Sequence, residues 1–286
     1  MLQVLSDVHL EARRVATLRD FVDPCAENLV LAGDIGDPGR KTYSDFIEQA
    51  CQSFRRVFVV PGNHEYYGRT LEEGDGLVRE ACAARGAEVL QGSRTRVDGV
   101  DLVGATLWSR VDAFDRSAYE HSDHVSVREF TPRIRNDIHT RHAEFLRWAV
   151  TREEPVVVVT HHLPSFSLVA DEYRRPFAKN DMWASACDDI VKRASAWIYG
   201  HTHAPSRRIA FGVCETVCNP VGYPDETSRH DRRAVLNIDR DALFHRMTAN
   251  AAAAEAAPTA APHAVSTSAV ASPHSDTPNT DMLVRL

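Results

Sequence analysis

Apolar residues are grouped along this chain in short continuous runs that are typical of buried β-strands. Runs without alternating polar positions suit strands that are covered on both faces of a sheet. Stretches with the apolar spacing of helices lie between them. The strand-like runs are residues 2–5, 29–32, 57–60, 156–160 and 197–199, and the helical patterns cover 43–54, 71–84, 142–150 and 181–193. This alternation predicts an α/β domain.

Hairpin signals add antiparallel strands to this pattern. One pair of strand-like segments, 95–97 and 102–105, flanks Asp98-Gly99, a dipeptide that favours the tight turn of a hairpin. Further strand patterns follow at 207–211, 214–218 and 234–238. We therefore expect mixed sheets, with two sheets packed together and helices outside.

Two segments depart from the α/β pattern. Residues 109–141 are polar and rich in His, Asp and Arg, and we interpret them either as an insertion over the active-site face or as a variable surface excursion. From residue 249 onward Ala, Pro, Ser and Thr dominate and no aromatic residue occurs, so residues 249–286 are predicted to be a disordered tail. The folded domain is expected to span residues 1–248.

Composition and charge exclude several classes of protein. Of the 286 residues, 43% are hydrophobic and 26% are charged, which is typical of a globular domain. The net charge of −7 argues against a protein that coats nucleic acid, because such surfaces are normally basic. The six cysteines form no Cys-x-x-Cys pair, which favours reduced thiols. No apolar run is long enough to cross a membrane and residues 1–10 lack a signal-peptide pattern, so a cytoplasmic location is expected.

Polar side chains follow five of the predicted strands, at the point where each strand ends. The groups are Ser6-Asp7-Val8-His9, Gly33-Asp34-Ile35-Gly36-Asp37, Pro61-Gly62-Asn63-His64-Glu65, His161-His162 and Gly200-His201-Thr202-His203. Because the carboxyl ends of strands in an open α/β sheet converge on one crevice, these groups are expected to meet at a single site. Taken alone, each Asp, Asn or His would more often be a turn, cap or core residue, so their joint placement carries the prediction.

The residue types in these groups indicate transition metals. They offer carboxylate, amide and imidazole ligands and no Cys, a mixture that suits an open, reactive site better than structural zinc. Seven candidate ligands are more than one ion needs, so two divalent ions (Mn, Fe, Zn, Co or Ni) with a bridging carboxylate are predicted: Asp7, His9, Asp34, Asn63, His161, His201 and His203. Two such ions leave the site positively charged, which favours an anionic phosphoester, and they lower the pKa of water to about 7.

In this order the groups resemble the motifs of the calcineurin-like metallophosphoesterase superfamily. The motifs are Asp-x-His, Gly-Asp-x-x-Asp, Gly-Asn-His-Glu, a His after a strand, and Gly-His-x-His, and the resemblance extends from Leu2 to about Asp239. It implies a four-layer sandwich of two mixed β-sheets flanked by helices. It also implies hydrolysis of phosphomonoesters or phosphodiesters by in-line attack of a hydroxide that bridges two metal ions.

The resemblance also assigns a role to each residue. Asp7, His9 and His203 resemble ligands of the first metal, Asp34 the bridging carboxylate, and Asn63, His161 and His201 ligands of the second metal. His64 resembles the catalytic histidine, which donates to the phosphate or protonates the leaving oxygen, and Asp37 the carboxylate that orients it. His161 is preferred to His162 because the family pattern places the ligand directly after the strand, while His162 stays an alternative as a supporting or substrate-contacting residue.

Departures from branches of the family narrow the substrate class. Leu10 and Pro38 stand where phosphoprotein phosphatases have Gly and Arg, and His64 stands where lipid A precursor hydrolases have Arg. The chain resembles small bacterial cytosolic phosphohydrolases and class III cyclic-nucleotide phosphodiesterases instead, so a small substrate such as a nucleotide is expected. Candidate substrate contacts are His162, Arg133, Arg135, Asn219 and Tyr223, with Arg128, His139 and His142. A non-catalytic scaffold and a nuclease are the alternatives, and the sequence indicates no oligomeric state.

Overall fold

The strands form two mixed sheets in a computed structural model of the chain, which describes residues 1–151, 154–171, 180–227, 229–245 and 248. In chain order they are β1 (Leu2–Leu5), β2 (Asn28–Ala32), β3 (Arg56–Val60), β4 (Glu88–Val89), β5 (Ser93–Val97), β6 (Val100–Ala105), β7 (Val156–Thr160), β8 (Ala196–Tyr199), β9 (Ser206–Ala210), β10 (Cys214–Cys218) and β11 (Val235–Leu236). The first sheet has the order β11-β1-β2-β3-β4 and the second β5-β6-β7-β8-β10-β9. Strands β1 to β4 run parallel and β11 antiparallel. In the second sheet β5 and β9 are the antiparallel edge strands.

Four helices cover the outer faces of the sheets: α1 (Lys41–Ser53) and α2 (Leu71–Ala83) on the first, and α4 (Pro132–Ala149) and α5 (Asp188–Val191) on the second. A short helix, α3 (Ser122–Ser126), precedes α4. The start of α2 is fixed by Thr70, whose side chain accepts a hydrogen bond from the backbone N–H of Glu73. Across the described ranges, no helix combines the length and apolar character that a bilayer crossing requires.

Alternating side chains of the buried strands divide the core into layers. Leu2 and Val4 of β1 belong to the cluster between the sheets, where they meet residues of β7 and β8 such as Val157 and Ile198. Leu5 belongs instead to the cluster under α1 and α2. A third cluster packs the outer face of the second sheet against α4 and α5. The result is helix, sheet, sheet, helix, which confirms the predicted four-layer sandwich.

Two predictions of secondary structure are corrected. Helix α4 begins at Pro132 rather than at residue 142, so ten residues of the predicted irregular stretch 109–141 are helical, and α3 lies in it too. The start signal is Thr131, which caps the helix ahead of a first-turn proline. The buried face of α4 includes Arg135 and His139, which hides its apolar periodicity.

The second correction concerns the helix expected over 181–193. The α-helix there is confined to α5, after a short 3-10 turn at Asn180–Met182. The segment between them pairs with the chain after β7: the Leu163 N–H donates to the Trp183 carbonyl, and the Ser185 N–H to the Leu163 carbonyl. This tertiary pairing outweighs the local helical pattern. The predicted tail, 249–286, lies outside the described residues.

Candidate metal centre

The predicted metal ligands lie on the turns that follow β1, β2, β3, β7 and β8, and these turns converge. Five of them have positive φ: Asp7 (53°), His9 (50°), Asp34 (53°), His201 (71°) and His203 (49°). Left-handed backbone costs an ordinary L-residue about 1–2 kcal/mol. Strain concentrated at one place is typical of functional turns, which use it to aim side chains.

The first cluster contains Asp7, His9 and His203. One donor atom from each residue lies within 4.8 Å of the other two. The Nε2 atoms of His9 and His203 are 3.0 Å apart, and His203 Nε2 is 3.6 Å from Asp7 Oδ1. Asp7 and His9 are buried, so their polar atoms face this cluster and not bulk solvent. The three side chains come from both sheets, since His203 follows β8 and the others follow β1.

The second cluster contains Asp34, His161 and His201, again with donor atoms within 4.8 Å of one another. His161 Nε2 is 3.3 Å from Asp34 Oδ2 and 2.9 Å from Asn63 Oδ1. Asn63 therefore joins this cluster through its amide oxygen. Both sheets contribute here too, because Asp34 and Asn63 follow β2 and β3 whereas the two histidines follow β7 and β8.

Asp34 lies between the two clusters. Its Oδ2 is 3.3 Å from His161 Nε2 of the second cluster and 4.0 Å from His9 Nε2 of the first. Burial alone would favour the neutral acid, but the imidazoles of His161 and His64 hold the pKa of the Asp34 carboxyl well below its usual range. An ionised carboxylate between two groups of imidazoles is the arrangement that a bridging ligand needs.

The geometry distinguishes His161 from His162. His161 Nδ1 donates to the Ala32 carbonyl at 3.0 Å, and this bond fixes the ring with its Nε2 towards the second cluster. His162 is fully buried but belongs to neither cluster; its ring packs at a tilt against that of His201, with centroids 4.2 Å apart. Burial, followed by the neighbouring His201, lowers the pKa of His162 well below its usual value. Its position is that of a side chain packed behind a ligand.

The donor set fits divalent cations. Within the described part of the chain, the buried atoms Asp7 Oδ2 and His201 Nε2 have no hydrogen-bond partner. Buried polar atoms are normally satisfied, and Asp7 and His201 belong to the first and second clusters, where a bound cation would supply the missing partner. Carboxylate, amide and imidazole donors without thiolates suit Mn, Fe, Co, Ni or catalytic Zn.

His64 stands beside the clusters and is held by a residue that the sequence analysis missed. Its Nδ1 donates to Glu11 Oε1 at 2.9 Å, and its Nε2 is 3.1 Å from the Tyr223 hydroxyl. Burial favours the neutral ring, but the carboxylates of Asp34 and Glu11 outweigh it and raise the pKa of His64 to about 9. Glu11 also accepts a hydrogen bond from His9 Nδ1 at 3.2 Å, so one carboxylate orients two imidazoles.

The prediction that Asp37 orients His64 is wrong. Asp37 Oδ1 accepts hydrogen bonds from Arg69 Nη2 at 2.6 Å and from the Gly39 N–H at 2.9 Å. Asp37 Oδ2 pairs with Arg40 at 3.2 Å. The carboxylate therefore stabilises its own turn, and arginine neighbours draw it away from the imidazole.

Two further glutamates support the centre. Glu226 Oε2 accepts from His203 Nδ1 at 2.8 Å, which directs the opposite nitrogen of that ring towards the first cluster. Glu65 Oε2 accepts from the backbone N–H groups of Asp34, at 3.1 Å, and Gly62, at 2.7 Å, and so ties two ligand-bearing turns together. Glu65 could have been found from the Gly-Asn-His-Glu motif, whereas nothing local to the sequence marks Glu226.

Most predicted substrate contacts lie elsewhere. Arg133 is exposed on α4, and Arg135 is fully buried, where it donates to Asp123 and to the Ser109 carbonyl. Asn219 is also buried: its amide donates to the carbonyl of Val4 and accepts from the backbone of Asp231. Arg135 and Asn219 thus satisfy the protein's own interior groups, and Arg133 is not among the residues that line the cavity at the clusters, which corrects the assignment of all three.

Of the other predicted substrate contacts, three lie away from the clusters. Arg128 pairs with Glu73, His139 donates to the Trp108 carbonyl, and His142 lines a separate cavity between α2 and α4. Tyr223 is the exception, because it lines the cleft above the clusters.

That cleft has a volume of about 330 Å³. Asp34, Asn63, His64, His201 and His203 line its floor, and the aromatic side chains of Tyr67, Trp183 and Tyr223 are among those that line the rest. Tyr223 stacks on His9 with ring centroids 4.2 Å apart. Carboxylate and imidazole groups thus lie at the base of an aromatic cleft of small-molecule size.

Comparison with known proteins agrees with this geometry. Residues 3–205 match the family model described as calcineurin-like phosphoesterase. Uncharacterized protein L509 of Acanthamoeba polyphaga mimivirus is 26% identical over 273 residues, which cover 84% of this chain and 97% of that protein. The phosphopantetheinyl hydrolase PptH of Mycobacterium tuberculosis has a similar fold, with a TM-score of 0.59 at 20% identity over 78% of this chain and 89% of that one. The family match covers most of the chain, from β1 to the Gly-His-Thr-His turn, and the chain therefore belongs to the calcineurin-like phosphoesterases.

Proposed function

We propose that this protein hydrolyses small phosphoesters with the help of two divalent transition-metal ions. The observation that carries the proposal is the pair of ligand clusters on either side of Asp34. Asp7, His9 and His203 would hold one ion, Asn63, His161 and His201 the other, and Asp34 would contact both. When bound, such ions supply Lewis acidity, because they withdraw charge from phosphoryl oxygens and lower the pKa of water.

His64 is proposed as the catalytic residue of this reaction. Its bond to Glu11 fixes the ring, so that Nε2 points to the cleft beside the Tyr223 hydroxyl. From there Nε2 can donate to a phosphoryl oxygen or to the oxygen of the leaving group. A positioned proton donor of this kind contributes about 10²–10⁴-fold to the rate.

The cleft favours a small substrate with a planar group. Its volume of about 330 Å³ lies at the lower end of small-molecule pockets, and Tyr67, Trp183 and Tyr223 offer aromatic surface next to the clusters. A nucleotide combines an anionic phosphoester with an aromatic base and satisfies both features. The net charge of −7 opposes binding of long nucleic acids.

A phosphoester panel tests the proposal. The purified chain is loaded in turn with Mn, Fe, Zn, Co or Ni and assayed with cyclic nucleotides, nucleoside monophosphates, dinucleotides, a phosphopantetheinyl ester and bis(p-nitrophenyl) phosphate. The phosphopantetheinyl ester is included because PptH, which has a similar fold, is a phosphopantetheinyl hydrolase. We expect metal-dependent hydrolysis and about two equivalents of bound metal.

Matched variants separate the two roles. Asp34→Asn should abolish hydrolysis and lower metal content, with the exposed Asp241→Asn as control. His64→Ala should retain the metal and lose about 10²–10⁴-fold in kcat, with the exposed His245→Ala as control. Full activity of either site variant would contradict its assigned role. Less than half an equivalent of metal together with no hydrolysis would favour a non-catalytic scaffold instead.

A further inference from the structure

Asp123 of α3 is a fully buried carboxylate that contacts the second cluster from behind. Asn63 Nδ2 donates to Asp123 Oδ1 at 3.0 Å, and the Tyr67 hydroxyl donates to the same oxygen at 2.9 Å. Arg135 Nη1 donates to Asp123 Oδ2 at 2.8 Å and is itself fully buried. Both oxygens are therefore partnered, and the arginine balances the buried charge.

The chemistry of these partners determines which way the Asn63 amide faces. An ionised carboxylate only accepts hydrogen bonds, so the amide must present its NH₂ group to Asp123. The amide oxygen then points the other way, to within 2.9 Å of His161 Nε2 in the second cluster. If the amide turned over, two N–H donors would face the place where a cation binds.

We propose that Asp123 is a positioning residue that holds the Asn63 amide with its oxygen towards the second metal. The inference rests on the proposed function and deepens it, because it assigns the affinity of one ion to a residue of the stretch 109–141. Arg135 extends this connection: it also donates to the Ser109 carbonyl at 2.8 Å and to the Met182 carbonyl at 2.8 Å. Packing of α3 and α4 thus controls the second cluster, while the first cluster is supported separately by Glu226.

The test is the Mn²⁺ content of Asp123→Asn, measured by equilibrium dialysis and metal analysis over a range of free Mn²⁺. The new amide can donate as well as accept, so it no longer dictates the orientation of Asn63. Supporting residues of this kind are typically worth about 10–100-fold in metal affinity. We expect one equivalent to bind as in the wild-type chain and the second to weaken by about 10–100-fold.

Two further variants separate positioning from folding. Asp123→Asn leaves Arg135 buried without its carboxylate, so the double variant with Arg135→Met is measured beside it to remove the unpaired charge. The Asn63→Ala background completes a double-mutant cycle. There, Asp123→Asn should weaken the second equivalent no further, because the amide through which it acts is gone.

The outcomes are distinct. Unchanged binding of both equivalents by the double variant, or equal weakening of both, overturns the positioning role. A further loss in the Asn63→Ala background overturns it as well, since Asp123 would then act by another route. If the wild-type chain binds another of Fe, Zn, Co or Ni but no Mn²⁺, that metal replaces Mn²⁺ in each of these measurements. A wild-type chain that binds none of the five metals overturns the proposed function itself, and this inference with it.

Discussion

Gly62 packs against Asp34 so closely that a single methyl group tests the geometry of the centre. A Cβ at this position would lie 2.4 Å from the backbone N of Asp34 and 2.2 Å from its Oδ1. Ordinary van der Waals contact begins at 3.4 Å, so Gly62→Ala must push the turns after β2 and β3 apart by about 1 Å. Asp34 Oδ1 accepts the His64 N–H at 2.9 Å, and that bond would be stretched too.

The size of the effect follows from this displacement. Overpacking of a close-packed interior costs about 1–3 kcal/mol, and each kcal/mol lowers the unfolding temperature of a domain this large by about 2–4 °C. A misplacement of about 1 Å at a reacting centre costs about 100-fold in rate. Gly62→Ala should therefore unfold at a temperature about 2–12 °C lower and lose about 100-fold in kcat/KM.

The assay combines thermal unfolding, in EDTA and in Mn²⁺, with hydrolysis of bis(p-nitrophenyl) phosphate. Gly76→Ala in α2 is the matched control, because no heavy atom lies within 4 Å of the place that its added methyl group would take and its backbone is helical. It should stabilise the chain by about 0.5–1 kcal/mol through helix propensity alone. Wild-type metal content and activity in Gly62→Ala would refute the reasoning.

Three other predictions follow from the contacts of the centre and of α4. Glu226→Gln should weaken Mn²⁺ binding at the first cluster by about 10-fold, because His203 loses its charged hydrogen-bond acceptor. Equilibrium dialysis measures this affinity, and an unchanged value would argue against a role of Glu226 in orienting His203. Glu11→Gln should lower kcat by about 10-fold or more, because the Glu11 carboxylate orients the His64 imidazole. Asp37→Asn should change kcat by less than about twofold, because Asp37 pairs with Arg69 instead. Steady-state kinetics in which Asp37→Asn has the larger effect would show that Asp37 and not Glu11 orients His64. Burial lowers the pKa of His139, so below about pH 6.5 the unfolded chain binds a proton that the folded chain does not, and stability is lost as the pH falls. His139→Gln should reduce this pH dependence by at most about 1.4 kcal/mol per pH unit, as measured by urea unfolding near pH 5 and pH 7; identical pH dependence in both chains would exclude the effect.

The strands and the residues that end them were predictable because their signals are local. Residues 2–5 and 156–160 are strands in the structure with the predicted bounds, and the polar groups after them fall where parallel strands must place them. A short apolar run followed at once by Asp or His needs no knowledge of the rest of the chain. The fold class and both ligand clusters follow from such runs.

Apart from Glu65, which belongs to the Gly-Asn-His-Glu motif, the supporting residues could not be predicted, because their roles depend on packing between distant segments. Asp123 lies 60 residues from the Asn63 that it contacts, and Glu226 lies 23 residues from His203. The prediction that Arg135 and Asn219 contact the substrate failed for a related reason. Residue type alone cannot distinguish an arginine or an amide that binds a substrate from one that satisfies buried carbonyls of its own chain.

Each ligand cluster takes side chains from both sheets, so a bound cation would cross-link the two sheets of the sandwich. A ligand that only the folded chain binds contributes about 2.7 kcal/mol at a concentration 100 times its dissociation constant. Removal of the metal by a chelator would thus weaken the contact between the two sheets at this edge as well as stop hydrolysis. The lifetime of the folded chain would then depend on the supply of metal around it.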